Sequence, residues 1–387
     1  MLKNLSLDRK KRRIGPIAFA FIAASFLPYI TLIPTPFSMQ PYPLIFGMIY
    51  YVYHRIWFFK FSPLLHLPAL TLAAASLLML YEPSLNGFRS LFNYASFLLL
   101  IYCYVHLLMT YDHRKVAQLV GLISIIYFGI GVIQMLIFPS IVSCCVGNIA
   151  DTTELLESGR GVASLTPEPT FYGFFCLAFM IIFKIMDYKK YFYLNLIGLV
   201  FLSISSLAIL CFAIYLIINF FVQMSARNKI YFLLISGFFS IVVWDFISQL
   251  DLRIIMLLSN YAENGFNVEE TDGSISGRLY HIVQPWQSFI TNWGLPNLFL
   301  GLPNGDPRIL SGFGSGIYEL GVFFLPALWT IVYTCLRFSL SNPKDIGIPI
   351  LLGIIWFNAN QLGMSIFIFY LALIYCHQEV RKIKYAS

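Results

Sequence analysis

Apolar runs of roughly twenty residues, the length a helix needs to cross a bilayer, alternate along most of the chain with short polar punctuation. The pattern predicts spans at Ile14–Ile33, Tyr42–Phe59, Leu64–Tyr81, Ser90–Thr110, Val116–Phe138 and Pro169–Met186. The run Tyr191–Val222 is too long for one span and breaks near Ser203-Ile204-Ser205-Ser206, so it reads as two short helices. Ile230–Ser248 and Gly316–Phe338 follow, and the last run, Ile346–Cys376, divides around Asn358-Ala359-Asn360-Gln361. The expectation is an all-α polytopic membrane protein of about twelve transmembrane helices, with both termini on one side and residues 1–387 forming a single integral membrane domain. Two long polar stretches interrupt the pattern, at 139–169 and 249–315.

Composition agrees with the pattern. The chain is 59% hydrophobic and 11% charged, with a mean hydropathy of +0.76, whereas an ordinary soluble domain carries about a quarter charged residues. The net charge of +7 raises nucleic acid as a partner. The basic residues, however, are strung out in short clusters between apolar runs and form no continuous basic face, so no nucleic-acid partner is expected. The basic stretch up to Arg13 precedes an apolar run without a small-residue cleavage pattern, which reads as an uncleaved first helix. Five of the seven cysteines fall in apolar runs, and Cys144 and Cys145 are adjacent, so no metal site is assigned.

Basic residues set orientation, because short cytoplasmic loops are enriched in lysine and arginine. With the N-terminus inside, twenty of the 25 basic residues fall on the inner side and no loop breaks the alternation. Only Arg89, Arg160, Arg253, Arg278 and Arg308 fall outside. Both long loops are then external, and every outward cation is an arginine, the residue whose planar fork grips phosphate or carboxylate in bidentate fashion.

Each candidate has a plainer reading beside the functional one. Arg160, in Ser158-Gly159-Arg160-Gly161, follows Asp151, Glu154 and Glu157; Arg278, in Ser276-Gly277-Arg278, follows Glu269, Glu270 and Asp272. Either arginine pairs with its neighbouring carboxylates or holds an anionic ligand. Glu168, in Thr166-Pro167-Glu168-Pro169-Thr170, caps the positive end of the following helix or serves as a general base. Glu319, in Tyr318-Glu319-Leu320-Gly321, lies within an apolar run, and an ionisable group at membrane depth is expected to be paired or functional. His281 comes three residues after Arg278 and is a weaker base candidate, while Arg308 follows Asp306 and either pairs with it or binds substrate. Tyr172 and Tyr280 are candidate substrate contacts, and Tyr280, Trp286 and Trp293 equally fit an interfacial aromatic belt. The polar breaks at Ser203–Ser206 and Asn358–Gln361 are either tight external turns or the border of a cavity.

This order of features resembles the O-antigen polymerase and ligase superfamily, and the Wzy-type surface polysaccharide polymerases in particular. The resemblance rests on two long external loops that each carry an arginine, Pro167-Glu168-Pro169-Thr170 after Arg160, and the serine-rich break between the loops. It also rests on fifteen residues between Arg278 and Gly294, the glycine-rich Gly301–Gly305 turn, and the late Glu319-Leu320-Gly321. Gly173, with twelve residues between it and Arg160, departs from the family's spacing. The ligases carry a histidine near the end of the second loop, and Ser311–Glu319 has none, which favours polymerase.

The resemblance implies a GT-C-like helix arrangement in the bacterial inner membrane, with an active site facing the periplasm. It implies metal-independent, cofactor-free glycosyl transfer from a glycan on undecaprenyl diphosphate to a second lipid-linked repeat unit. Arg160 and Arg278 would hold the diphosphates, and Glu168 or His281 would take the acceptor proton. Arg308, Glu319, Tyr172 and Tyr280 would contact substrate. A chain-length regulator and a flippase of the same pathway are the implied protein partners. The alternatives are the ligase and, from another class, a lipid-linked oligosaccharide flippase; charge-poor helix interiors and polarity gathered in two loops argue against the flippase.

Overall fold

The computed structural model describes residues 13–31, 39–56, 62–81, 83–142, 145–146, 161–225, 227–231, 284–297, 311–357 and 362–386. Among the described residues every extended element is helical, and an isolated antiparallel bridge joins Ile30 and Val146. Among the described residues, six helices are long and apolar enough to cross a membrane, and two shorter apolar ones, at Pro16–Phe26 and Tyr42–Tyr53, accompany them. The chain is therefore an all-α protein of membrane-spanning character. Expected span Ile230–Ser248 runs into residues 232–283, which lie outside the described residues, as do 298–310 and 358–361.

We number the helices α1 Pro16–Phe26, α2 Tyr42–Tyr53, α3 Leu67–Tyr81, α4 Leu85–Thr110, α5 His113–Leu136, α6 Pro169–Met186, α7 Lys189–Ile197, α8 Ser206–Gln223, α9 Gly312–Leu320, α10 Leu325–Ser341, α11 Gly347–Phe357 and α12 Ser365–Ala386. Their starts follow local sequence chemistry. The side chains of Ser84, Asp112, Ser205 and Ser311 accept backbone N–H groups of α4, α5, α8 and α9 at 3.0, 3.0, 3.4 and 3.1 Å, satisfying donors that a helix start leaves orphaned. Pro16 and Pro169 stand at the first position of α1 and α6, where no N–H is needed.

α6 and the first part of α12 are the central pillars. Phe174–Phe183 and Ile366–Cys376 are each at most 3% exposed, an all-round apolar burial that marks interior helices. α12 packs on α4, α10 and α6, and α6 on α7 and α8. Lipid tails are as apolar as leucine, so close fit and interhelical hydrogen bonds hold such a bundle, each bond contributing about 1 kcal/mol. Tyr127 donates to the Phe26 carbonyl at 2.9 Å, Tyr370 to Ile348 at 2.6 Å and Gln378 to Thr334 at 2.7 Å; Ser365 donates to the Ser25 carbonyl.

Three expected spans differ in detail. α1 stops at Phe26 rather than near Ile33 because Pro28 has no N–H to continue it. α2 stops at Tyr53 rather than Phe59, turned by Arg55 in the left-handed region at φ 48°. The continuous helix expected at Gly316–Phe338 is α9, one tight turn over Gly321–Phe324, and α10. The break occurs at Gly321, where φ is +54° and an added Cβ would lie 2.1 Å from the Gly294 carbonyl oxygen.

Alternation of helix direction gives the bundle two poles. One carries the ends of both long loops, here the loop pole; the other gathers Arg13, Arg55, Lys184, Arg337 and Lys344, here the basic pole.

Candidate functional site

The end of the first long loop is fastened to the broken helix. α7 widens into a π-type turn over Gly198–Ser203, and Ile204 then adopts a left-handed conformation, φ 43°, before α8 begins. The Val162 N–H donates to the Leu202 carbonyl at 2.8 Å. Gly161 lies so close that a Cβ there would sit 2.2 Å from the carbonyl oxygens of both Leu202 and Ser203. Ser164, at φ 51°, donates from its N–H to the Gln134 side-chain oxygen at 2.7 Å and from its hydroxyl to Tyr127 O at 2.6 Å. Ser203 bonds back to Leu199 O at 2.8 Å, and Ser205 is the cap of α8. The serines thus close a tight turn, and the turn seats the loop.

Glu168 occupies the N-cap position of α6 in extended conformation, but its side chain makes no capping hydrogen bond. Its carbonyl accepts from the Tyr172 N–H at 3.2 Å and the Thr166 hydroxyl at 2.9 Å, and its half-buried carboxylate lies within electrostatic reach of Tyr29. Tyr172, a candidate substrate contact in the sequence, lies in the bundle interior. Only 1% exposed, its ring stacks on Tyr127 with centroids 6.4 Å apart, deep in the α5–α6 packing. Gly173 has a packing role: a Cβ there would come within 2.6 Å of the Ala208 side chain, so its bareness lets α6 approach α8.

Glu319, in the last turn of α9, is part-buried and fixed. Ser90 donates to one carboxylate oxygen and Tyr94 to the other, each at 2.8 Å. These donors are four residues apart on α4 and so share one helix face. The break after Glu319 is clamped by the 292–297 segment: Gly294, at φ +75°, accepts the Val322 N–H at 2.9 Å, and Asn297 donates from its side chain to Tyr318 O at 2.9 Å.

On the adjacent face of α4 opens a cleft of about 90 Å³. Arg89, Gln40, Asn93 and Ser96 give it polar groups, and Leu44 and Phe92 belong to its apolar wall. Gly363 closes one side, and a Cβ there would lie 3.0 Å from the Asn93 backbone. Tyr29 links this corner to the first: its ring lies 5.9 Å from Phe171 and its hydroxyl 4.0 Å from the Met364 sulfur.

Of the residues singled out in the sequence, the structure thus places Glu168, Tyr172 and Glu319 at the loop pole, with Tyr172 beneath its surface. Arg160, Arg278, Tyr280, His281 and Arg308 lie outside the described residues. Sequence reasoning missed Ser90 and Tyr94, whose spacing is a signal only once Glu319 is known to face α4, and it gave Arg89 no role. Among the described residues no group of three or more His, Cys, Asp or Glu side chains gathers to hold a metal ion. Comparison of the chain with protein-family models, with characterised proteins and with solved structures gave no match.

Proposed function

We propose that this protein is a membrane glycosyltransferase of the Wzy type, which polymerises undecaprenyl-diphosphate-linked repeat units into O-antigen or capsular polysaccharide. The observation that carries this reading is the pairing, on two faces of one helix end, of a fixed carboxylate at Glu319 with a cleft that sets Arg89, Gln40 and Asn93 against apolar side chains. A substrate that is half sugar diphosphate and half polyprenyl chain needs such a mixed surface at the membrane boundary. The resemblance in sequence supplies the rest of the reading, including about twelve spans in a GT-C-like arrangement, a bacterial inner-membrane location and a loop pole facing the periplasm.

In this reading the acceptor sugar hydroxyl attacks the anomeric carbon of the donor glycan. The bond to the undecaprenyl diphosphate oxygen breaks, the diphosphate leaves with the electron pair, and a base takes the hydroxyl proton. Arg160 and Arg278 stabilise the departing charge, the step to which fixed cations contribute most. Glu168 is the candidate base because it stands at the loop pole without a capping duty. Glu319 orients hydroxyls of the acceptor.

The test is the surface glycan profile of a deletion strain complemented with the intact gene, Arg278→Ala or Glu319→Gln, at matched protein level. The expected result is a single repeat unit on the lipid core in the deletion strain, a restored ladder with the intact gene, and none with Arg278→Ala. Polymer accumulating on the lipid carrier, unattached, would make the protein a ligase, and loss of all external repeat units would make it a flippase.

A further inference from the structure

The basic pole holds a second site, which the polymerisation chemistry does not use. A cavity of about 410 Å³ opens there between the start of α1, the end of α2 and the residue after α4; Arg13, Pro16, His54, Arg55 and Tyr111 are among its lining. α1 begins with Gly15 as its cap and no side chain closing it; Pro16 has no N–H, so the donors left at this start are those of Ile17 and Ala18. An added Cβ at Gly15 would meet nothing within 4 Å, so the space beside the helix start is open.

Arg13 and Arg55 both line this cavity, and neither forms an ion pair with a carboxylate among the described residues. Other cations at this pole do: Arg337 meets Glu379 at 2.8 Å and Lys184 meets Asp345 at 3.2 Å. Arg55 is also held in a conformation that favours glycine. Its N–H donates to Val52 O at 3.1 Å and that of Ile56 to Tyr51 O at 3.2 Å, the pattern of a helix end closed by a left-handed residue. His54 forms a fixed wall, bonded to the Tyr111 hydroxyl at 3.2 Å with its ring 5.4 Å from that of His106. Topology alone explains basic residues near helix ends, but not two of them gathered on one cavity at an open helix start.

We propose that this cavity binds a phosphate-bearing anion, with Arg13 and Arg55 gripping the phosphate oxygens and the Ile17 and Ala18 N–H groups completing the cradle. The site is level with the ends of three apolar helices, and Val52 and Tyr53 beside it are 72% and 65% exposed. An anionic lipid headgroup therefore reaches it directly; a free phosphate has the same chemistry, and the test separates the two. The inference does not depend on the proposed function at the loop pole.

The full chain is placed in nanodiscs of phosphatidylcholine with and without phosphatidylglycerol, and separately in phosphatidylcholine with inorganic phosphate. Thermal midpoints and retained lipid by native mass spectrometry are the readouts. Phosphatidylglycerol binding is expected to weaken roughly fivefold for each arginine removed in Arg13→Gln, Arg55→Gln and the pair, and to be unchanged in Lys189→Gln/Lys190→Gln. A midpoint raised by inorganic phosphate in the wild type and not in the pair would name free phosphate as the source. Arg55→Gly guards against misfolding, since it removes the charge while easing the backbone. Equal binding in the wild type and the arginine pair, equal weakening by the lysine pair, or no response to either ligand would overturn the proposal.

Discussion

Glu319 at the loop pole and the arginine pair Arg13 and Arg55 at the basic pole are treated in opposite ways. At the loop pole the Glu319 carboxylate is gripped on both oxygens by Ser90 and Tyr94, and the backbone around it is locked by glycines against carbonyl oxygens. At the basic pole Arg13 and Arg55 line an open cavity beside an uncapped helix start. One end is fixed by its own chain. The other leaves its cations to be completed by something else, which suits reversible capture of an anion. The difference teaches that a polar residue in a membrane protein is best read by what fixes it, not by its charge.

Four measurements sharpen or break that contrast. The largest effect is expected from Gly321→Ala, with Gly161→Ala close behind. A methyl group at either site would overlap a carbonyl oxygen at 2.1 or 2.2 Å, and at Gly321 the positive φ adds backbone strain. Each should cost about 3 kcal/mol, read as lower thermal stability of the purified protein; an unchanged midpoint would mean that the loop pole is not locked in this way.

Next comes Glu319→Leu, which strands the Ser90 and Tyr94 hydroxyls and should cost about 2 kcal/mol. Tyr94→Phe should cost less than the acid's removal, and the two effects should fail to add because they share one hydrogen bond. Additive losses in the double-mutant cycle would remove Tyr94 as the residue that fixes the acid.

Arg55→Gly should act in the opposite direction and raise stability by about 1 kcal/mol in the absence of anionic lipid, since glycine adopts the left-handed conformation without a Cβ penalty. A loss of stability under those conditions would show that Arg55 is a structural residue of the fold. The smallest effect is expected from Tyr172→Phe. The ring remains stacked on Tyr127, so stability should change by less than about 1 kcal/mol, and glycan length should be unaltered, as befits a core aromatic. A shifted ladder at unchanged stability would return Tyr172 to the substrate.

Much of the helix pattern was legible because a bilayer span writes itself as local composition. Pro169–Met186 is the same in pattern and structure, and the serine-rich break falls where the run grew too long. Helix starts were less legible: α4, α5 and α9 begin three to five residues before the expected Ser90, Val116 and Gly316, at caps Ser84, Asp112 and Ser311 that the apolar pattern does not mark. The span expected at Gly316–Phe338 is there within Gly312–Ser341, but its internal break was not legible, because it depends on Gly294 from a distant segment pressing its carbonyl against Gly321. The sequence alone does not tell which side of α6 faces the interior, and here both sides do, Tyr172 included.

The sequence by itself determined that this is a helical protein of membrane-spanning character, with polarity gathered into two long stretches, because apolar length and loop charge are properties of consecutive residues. Only the tertiary structure decided which polar groups meet. Ser90 and Tyr94 reach Glu319 across more than two hundred residues of chain, and Arg13 and Arg55 share a cavity because α1 and α2 pack side by side. Such meetings are set by how helices fit against one another, and no periodicity within a single helix encodes its neighbour.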